Sequence, residues 1–188
     1  MDRVSISTDA AIVRSHAKQI AAMLLDFRPG HRAWPGLEVA LAEVEESLQS
    51  DKVRFSAVAL LENETVGWIA GLESYSHAFE VHPIVVRHDM QRKGIGRRLL
   101  RALEDFARSH GALTVWLGCD DHIAATSLGG VELFPNVLDK VKTIRNLHGH
   151  AYEFYQHCGY EIVGVFPDVN GTGQPDIMMA KSLKDIGH

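Results

Sequence analysis

The stretch that most constrains the fold is Phe79–Leu100, FEVHPIVVRHDMQRKGIGRRLL, where a strand pattern passes through a basic, glycine-bearing turn into an amphipathic helix. From Phe79 to Arg87 the chain is β-branched and aromatic. A period of two puts Glu80, His82 and Ile84 on one face and Phe79, Val81 and Val85 on the other. Pro83 has no N–H for a ladder, so pairing is expected to break or bulge beside it and to expose main-chain N–H groups. In the turn that follows, Gly94 and Gly96 let main-chain amides approach a ligand closely, while Arg92 and Lys93 add positive charge. Ile95, Leu99, Leu103 and Phe106 then recur on one helical face, which places the turn at the positive end of a helix dipole. Together these features predict a cradle for phosphate or pyrophosphate. The plainer reading is a solvated turn whose glycines serve only its geometry.

Two common phosphate motifs are excluded. The turn has only Gly94-Ile95-Gly96 and runs on into Arg97-Arg98, so it matches neither G-x-x-x-x-G-K-[ST] nor G-x-G-x-x-G. The pattern of Gln91, Gly94 and Gly96 instead resembles the cofactor turn of the GCN5-related N-acetyltransferase (GNAT) superfamily, which follows the fourth strand. More narrowly, FEVHPIVV, LTVWLGCDD, NLHGHAYEFYQHCGY and VGVFPDVNGTGQPDIMMAK resemble the aminoglycoside 6'-N-acetyltransferases of the enterococcal and Acinetobacter-like chromosomal type. These segments span most of the chain from Phe79 to Lys181.

The resemblance implies a mixed α/β GNAT fold, with a central, mostly antiparallel, splayed sheet flanked by helices on both faces. It implies acetyl-coenzyme A as cosubstrate, with pantetheine between the splayed fourth and fifth strands. The contacts it implies are Ile84, Val85 and Val86 on the strand, Gln91, Arg92, Lys93, Gly94, Ile95, Gly96 and Arg97 in the turn, and Tyr155. It also implies a homodimer, with the C-terminal strands as one possible interface.

Direct attack by an amine on a thioester needs a neutral nitrogen, a polarised carbonyl and a proton for the departing thiolate. Glu80 is the first candidate to hold the ammonium and take its proton, and His82, on the same face, is the second. Both fall at the resemblance's substrate-side Glu and His positions, and the choice between them, or an ordered water, stays open. Their plain readings are a glutamate paired to an arginine and a satisfied structural histidine. The Ile84 main-chain N–H, just past Pro83, is the expected donor to the carbonyl. For the thiolate, the resemblance favours Tyr155 over Tyr152, three residues away, with aromatic packing as the rival reading.

A polycationic substrate needs fixed negative charge. Asp120 and Asp121 are the leading suppliers, with Glu73, Glu132, Asp139 and Glu153 behind them; loop capping is the alternative for the aspartates. Cys119 and Phe134 stand where relatives often have Thr and Tyr, which bears on the drug spectrum. Trp34, beside Pro35, either packs on a sugar ring or covers the core. The glutamates Glu38, Glu43, Glu45 and Glu46 read as solvent-facing charge on a helix whose inner face is Leu37, Leu41, Val44 and Leu48.

The 188 residues suit one domain, 1–188, that buries about 70% of its unfolded surface. A formal charge of −5 supplies no basic face for nucleic acid, and no apolar run is long enough to span a bilayer. With no signal-peptide pattern and only Cys119 and Cys158, the expected compartment is the cytoplasm and the thiols are expected reduced. His148, His150, His157 and Cys158 lie close in sequence but at no metal-site spacing, so no metal is expected.

Further along the chain, one helix is expected from Ala11 to Phe27, a hairpin around Glu62-Asn63-Glu64, and a strand from Ala112 to Leu117 closed by a Gly118-Cys119-Asp120-Asp121 loop. Beyond it come a helix near Leu138–Ile144, another over Ala151–His157, and strands at Glu161–Phe166 and Asp176–Lys181. Two other functions fit less of the pattern: acetylation of another polyamine or basic peptide, and a regulatory protein that binds acetyl-coenzyme A without chemistry.

Overall fold

A computed structural model of the protein describes residues 4–26 and 33–184. Its elements in chain order are β1 (Ser5–Ser7), α1 (Ala10–Ser15), α2 (Ala17–Asp26), α3 (Leu37–Glu46), β2 (Arg54–Leu61), β3 (Glu64–Tyr75) and β4 (Ala78–Val86). They continue with α4 (Ile95–Ser109), β5 (Thr114–Asp120), α5 (Val137–Lys142), α6 (Tyr152–Gln156), β6 (Glu161–Phe166) and β7 (Asp176–Ser182). The class is the expected mixed α/β. Two compact units, Met1–Leu113 and Thr114–His188, divide the chain.

In the first unit β1, β2, β3 and β4 pair antiparallel in chain order. The hairpin turn has Glu62 and Asn63 at φ 49° and 70°, the left-handed pair that matches strand twist across a two-residue loop. The helix expected from Ala11 to Phe27 is two, α1 and α2. Between them the Ile12 carbonyl receives both the main-chain N–H and ring Nδ1 of His16. Its expected stop, Arg28-Pro29-Gly30, lies outside the described residues, as do Phe27, His31 and Arg32.

Helices cover both faces of these four strands. Beneath α4, a Cβ on Gly71 would sit 2.5 Å from Leu103 Cδ1 and 2.6 Å from the Glu80 carbonyl, so β3 has no room there for a side chain. On the other face Trp68, Ala70 and Val85 join one core with Val13, Ile20 and Leu24 of α1 and α2, and Ala40 and Val44 of α3. The inner side of α3 carries Ala40, Leu41 and Val44, continued past its end by Ser47 and Leu48, whereas Leu37 is 49% exposed.

The interruption at Pro83 is a bulge with a consequence that simple alternation misses. Ile69 faces Ile84 and Gly71 faces Val81, so β4 carries one more residue than β3 over that interval, at His82-Pro83. Opposed residues share a face. Glu80, opposite Leu72, and His82, beside Ala70, therefore share a face as expected, and it is the side of α3. Ile84 does not join them: it lies with Val81 on the α4 side, and Val85, opposite Trp68, crosses to the α1–α3 side. The extra residue shifts the alternation by one, and every later side chain changes face.

In the second unit β5, β7 and β6 pair antiparallel in that order. β5 runs on to Asp120 where a loop is expected after Leu117, with Gly118, Cys119 and Asp120 opposite Met178, Ile177 and Asp176. Gly118 permits this because the Asp176 carboxylate occupies the space a Cβ would need. Cys119 is consequently a buried strand residue. Gly159, at φ 89°, ends the α6 segment. Among the described residues no helix is long and apolar enough to cross a membrane.

Candidate active site

The bulge sets which way the β4 main chain points. Arg87 N–H donates to the Val66 carbonyl at 3.0 Å. Antiparallel pairs alternate between bonded and non-bonded, so Val85 exchanges bonds with Trp68, while Ile84 and Val86 turn their N–H and C=O groups away from β3. The Val86 carbonyl is accordingly reached by the Gln91 side-chain amide at 3.1 Å. Gln91 thus ties the start of the turn to the end of the strand. The Ile84 N–H is therefore directed away from β3.

After a short 3-10 turn at His88–Met90, Arg92 adopts φ 58° and Gly94 φ 81°, ψ 0°. Gly94 caps the N-terminus of the 15-residue α4 with no side-chain hydrogen bond, and a Cβ there would meet nothing within 4 Å. Main-chain amides of the first helical turn lack intrahelical acceptors and carry the positive end of the dipole. Arg92, Lys93 and Arg97 are exposed beside them, whereas Ile95 is buried as the first core residue of α4. This open, cationic, amide-lined turn fits a pyrophosphate such as that of acetyl-coenzyme A.

Glu80 is half-buried on the α3-facing side of β4. Burial pushes its carboxyl above the ordinary carboxylate range, and the neighbouring His82 draws it partly back. His82 is exposed, with Nε2 3.7 Å from Glu43 Oε1. Glu43 is not the solvent-facing charge of the sequence reading: its Oε2 also accepts the Trp34 indole N–H at 3.2 Å. Its spacing of three from Ala40 on the inner stripe is the signal that marks it. Glu45 and Glu46 do face outward, pairing with Arg14 and Arg54. Trp34 is buried in the core cluster, which matches its core-covering reading.

The remaining expected residues lie in the second unit. Tyr155 is 9% exposed on α6, edge-on to Tyr160 at 5.9 Å and to Phe154 at 5.1 Å. Tyr152 is also buried, and burial raises its hydroxyl above the ordinary range. His150 joins this helix to β5: Nδ1 accepts the Tyr152 N–H at 3.2 Å and Nε2 donates to the Asp120 carbonyl at 3.0 Å.

The two aspartates differ. Asp121 is fully buried and accepts from Ala125 N–H, Thr126 N–H and Thr126 hydroxyl at 2.6, 2.9 and 2.7 Å, so it organises its own loop. Asp120 is half-buried, held by Asn170 Nδ2 at 2.7 Å and facing His122 Nε2 at 3.2 Å. Asn170 carries no signal in the sequence beyond a glycine-rich loop. Glu132, Asp139 and Glu153 are exposed; Glu132 accepts the Phe134 N–H, and Asp139 pairs with Lys142. Among the described residues no group of three or more His, Cys, Asp or Glu is placed to hold a metal ion.

Comparison with known proteins adds the class. The acetyltransferase (GNAT) family profile matches residues 19–128, more than half of the chain. An aminoglycoside 6'-N-acetyltransferase crystallised with coenzyme A is 34% identical over 98% of this chain and 99% of its own, with a TM-score of 0.87. The aminoglycoside 6'-N-acetyltransferase from Enterococcus faecium is also 34% identical, over the same shares, with a TM-score of 0.83. An aminoglycoside 6'-acetyltransferase type Ii is 30% identical over 97% and 99%, at 0.68. The search of curated proteins found no match. The chain belongs to the acetyltransferase (GNAT) family, and is an acyltransferase enzyme.

Proposed function

We propose that this protein transfers the acetyl group of acetyl-coenzyme A directly to the 6'-amino group of aminoglycoside antibiotics, and so confers resistance to them. The observation that carries the reading is the whole-length likeness to 6'-N-acetyltransferases, joined to a strand that presents Glu80 just before a bulge and His82 within it.

When bound, acetyl-coenzyme A supplies a thioester carbonyl open to attack by an amine. The amides of Gly94, Ile95 and Gly96, with Arg92, Lys93 and Arg97, would hold the pyrophosphate, and Val86, whose main chain turns away from β3, would meet the pantetheine; Val85, expected beside it, is instead buried in the core and paired to Trp68. Ile84 N–H, turned away from β3, donates to the acyl oxygen, where charge builds as the bond forms. Glu80 binds the ammonium and lowers the barrier to its deprotonation, directly or with His82 and water. Its raised carboxyl pKa brings it closer to an amine's in proton affinity. Tyr155 holds a proton for the departing sulfur. Asp120, Glu132, Asp139 and Glu153 supply negative charge to the other ammonium groups; Asp121 acts through the loop it braces.

The protein is proposed to work in the cytoplasm as a homodimer of a single 1–188 domain. Val163 and Phe166, apolar and 62% and 56% exposed on β6, support a covered C-terminal face.

Release of free thiol from acetyl-coenzyme A tests the reaction. Adding kanamycin or tobramycin should raise release far above the rate with coenzyme alone. No rise with any 6'-amino aminoglycoside would reject the assignment.

A further inference from the structure

The carboxylate of Glu43 is held from one side and aimed from the other. Its Oε2 accepts the Trp34 indole N–H at 3.2 Å, and Trp34 is itself buried in the core, so the anchor is fixed by packing. Oε1 then lies 3.7 Å from Nε2 of His82. A fixed carboxylate beside one nitrogen of a neutral imidazole favours the tautomer that carries its proton there. At 3.7 Å the contact is electrostatic rather than a hydrogen bond, and the arrangement it favours has the hydrogen on Nε2 and the lone pair on Nδ1.

The other groups around His82 act differently. Glu80 shares its strand face and interacts with it electrostatically. Glu46, Ser47 and Arg54 line the same small hollow. Arg54 is turned to Asp51 at 3.1 Å and Glu46 at 3.3 Å, and Ser47 hydroxyl donates to the Val44 carbonyl at 2.6 Å. Among the described residues, Glu43 is the group at charge-pair distance from the ring.

We infer that Glu43 is a positioning residue for the acyl transfer: anchored by Trp34, it orients His82, selects the Nε2–H tautomer and leaves Nδ1 to accept the amine's proton. This rests on the acetyl-transfer reading above, in which Glu80 and His82 serve the amine. The amine nitrogen forms the amide bond as the thioester C–S bond breaks; the electron pair stays on sulfur, and the amine's proton passes to Nδ1, directly or through one water.

Two measurements test it. The first does not depend on turnover: long-range ¹H–¹⁵N correlation of the His82 ring in the unliganded protein, at pH about 8, where imidazoles are ordinarily neutral. The wild-type ring should be the Nε2–H tautomer, and Glu43→Gln should shift it toward Nδ1–H. A predominantly Nδ1–H ring in the wild type, or a ring unchanged by Glu43→Gln, overturns the inference.

The second is a double-mutant cycle with a 6'-amino aminoglycoside. Glu43→Gln should lower kcat about tenfold with the KM for acetyl-coenzyme A within about twofold. Trp34→Phe, which removes the N–H while keeping an aromatic ring in the core, should act in the same direction, and Glu43→Asp should recover part of the loss. In a His82→Ala background Glu43→Gln should change kcat less than about twofold. An undiminished loss in that background means that Glu43 does not act through His82. If the wild type shows the Nε2–H ring but acetylates no aminoglycoside, the reaction fails while the ring geometry stands, which separates the two claims.

Discussion

His150 clamps Asp120 to the helix that bears Tyr155: its Nε2 donates to the Asp120 carbonyl at 3.0 Å while Nδ1 accepts the Tyr152 N–H at 3.2 Å. The carbonyl can only accept, so the tautomer is fixed, and the ring itself is 3% exposed. His150→Ala should destabilise the protein by about 3 kcal/mol, because it takes a partner from the Tyr152 N–H and the Asp120 carbonyl and opens a cavity. Urea unfolding reads the loss. An unchanged midpoint would show that the clamp contributes little.

Tyr155→Phe should separate chemistry from coenzyme binding. The ring packing against Phe154 and Tyr160 survives the change, so the fold should hold. Loss of a proton donor should cut kcat by about 100-fold, with the KM for acetyl-coenzyme A altered less than about threefold. Tyr152→Phe is the control: burial makes the Tyr152 hydroxyl a weaker acid, and its loss should leave kcat near wild type.

Glu80 links activity and stability to pH with opposite signs. Its folded-state carboxyl titrates above the ordinary value because burial disfavours the charged form. Between the ordinary and the raised value the folded state binds more protons than the unfolded one. The stabilisation that this gives is full below the ordinary value and is lost as pH rises through the raised one. Activity should rise over the same window as the carboxylate forms. Glu80→Gln should remove this contribution to the pH slope in unfolding measurements while lowering kcat/KM for the amine. Unaltered amine kinetics would rule out the role.

Two glycines should fail for different reasons. Gly71→Ala places a Cβ 2.5 Å from Leu103 Cδ1 and 2.6 Å from the Glu80 carbonyl, a backbone atom that cannot yield without moving β4. It should cost about 1–3 kcal/mol of stability, read by thermal unfolding. Gly94→Ala meets open space but a φ of 81°, so its cost should be about 1–2 kcal/mol, from conformation alone. Its kinetic signature should be a raised KM for acetyl-coenzyme A with kcat less affected.

The strand-turn-helix of Phe79–Leu100 was legible because its signals are local: apolar spacing sets α4, and glycine with a missing proline N–H sets the turn and the bulge. What the bulge does to Ile84 and Val85 was not legible, since the shift in alternation depends on how β4 pairs with β3. Trp34, Glu43 and His82 come together from a loop, α3 and β4, and helical spacing reads a glutamate as solvated unless its distance of three from Ala40 is noticed. The pair Asp120-Asp121 reads as one acidic patch in sequence; the structure spends Asp121 on the Ala125 and Thr126 amides and leaves Asp120 near the surface.

The most direct test of the account is the position of the acetyl group on tobramycin after incubation with the wild-type protein and acetyl-coenzyme A, determined by mass and NMR. One acetyl on the 6' nitrogen, with none transferred to a 6'-hydroxy analogue, is the expected result. An unmodified drug, or an acetyl on any other amine, would contradict it.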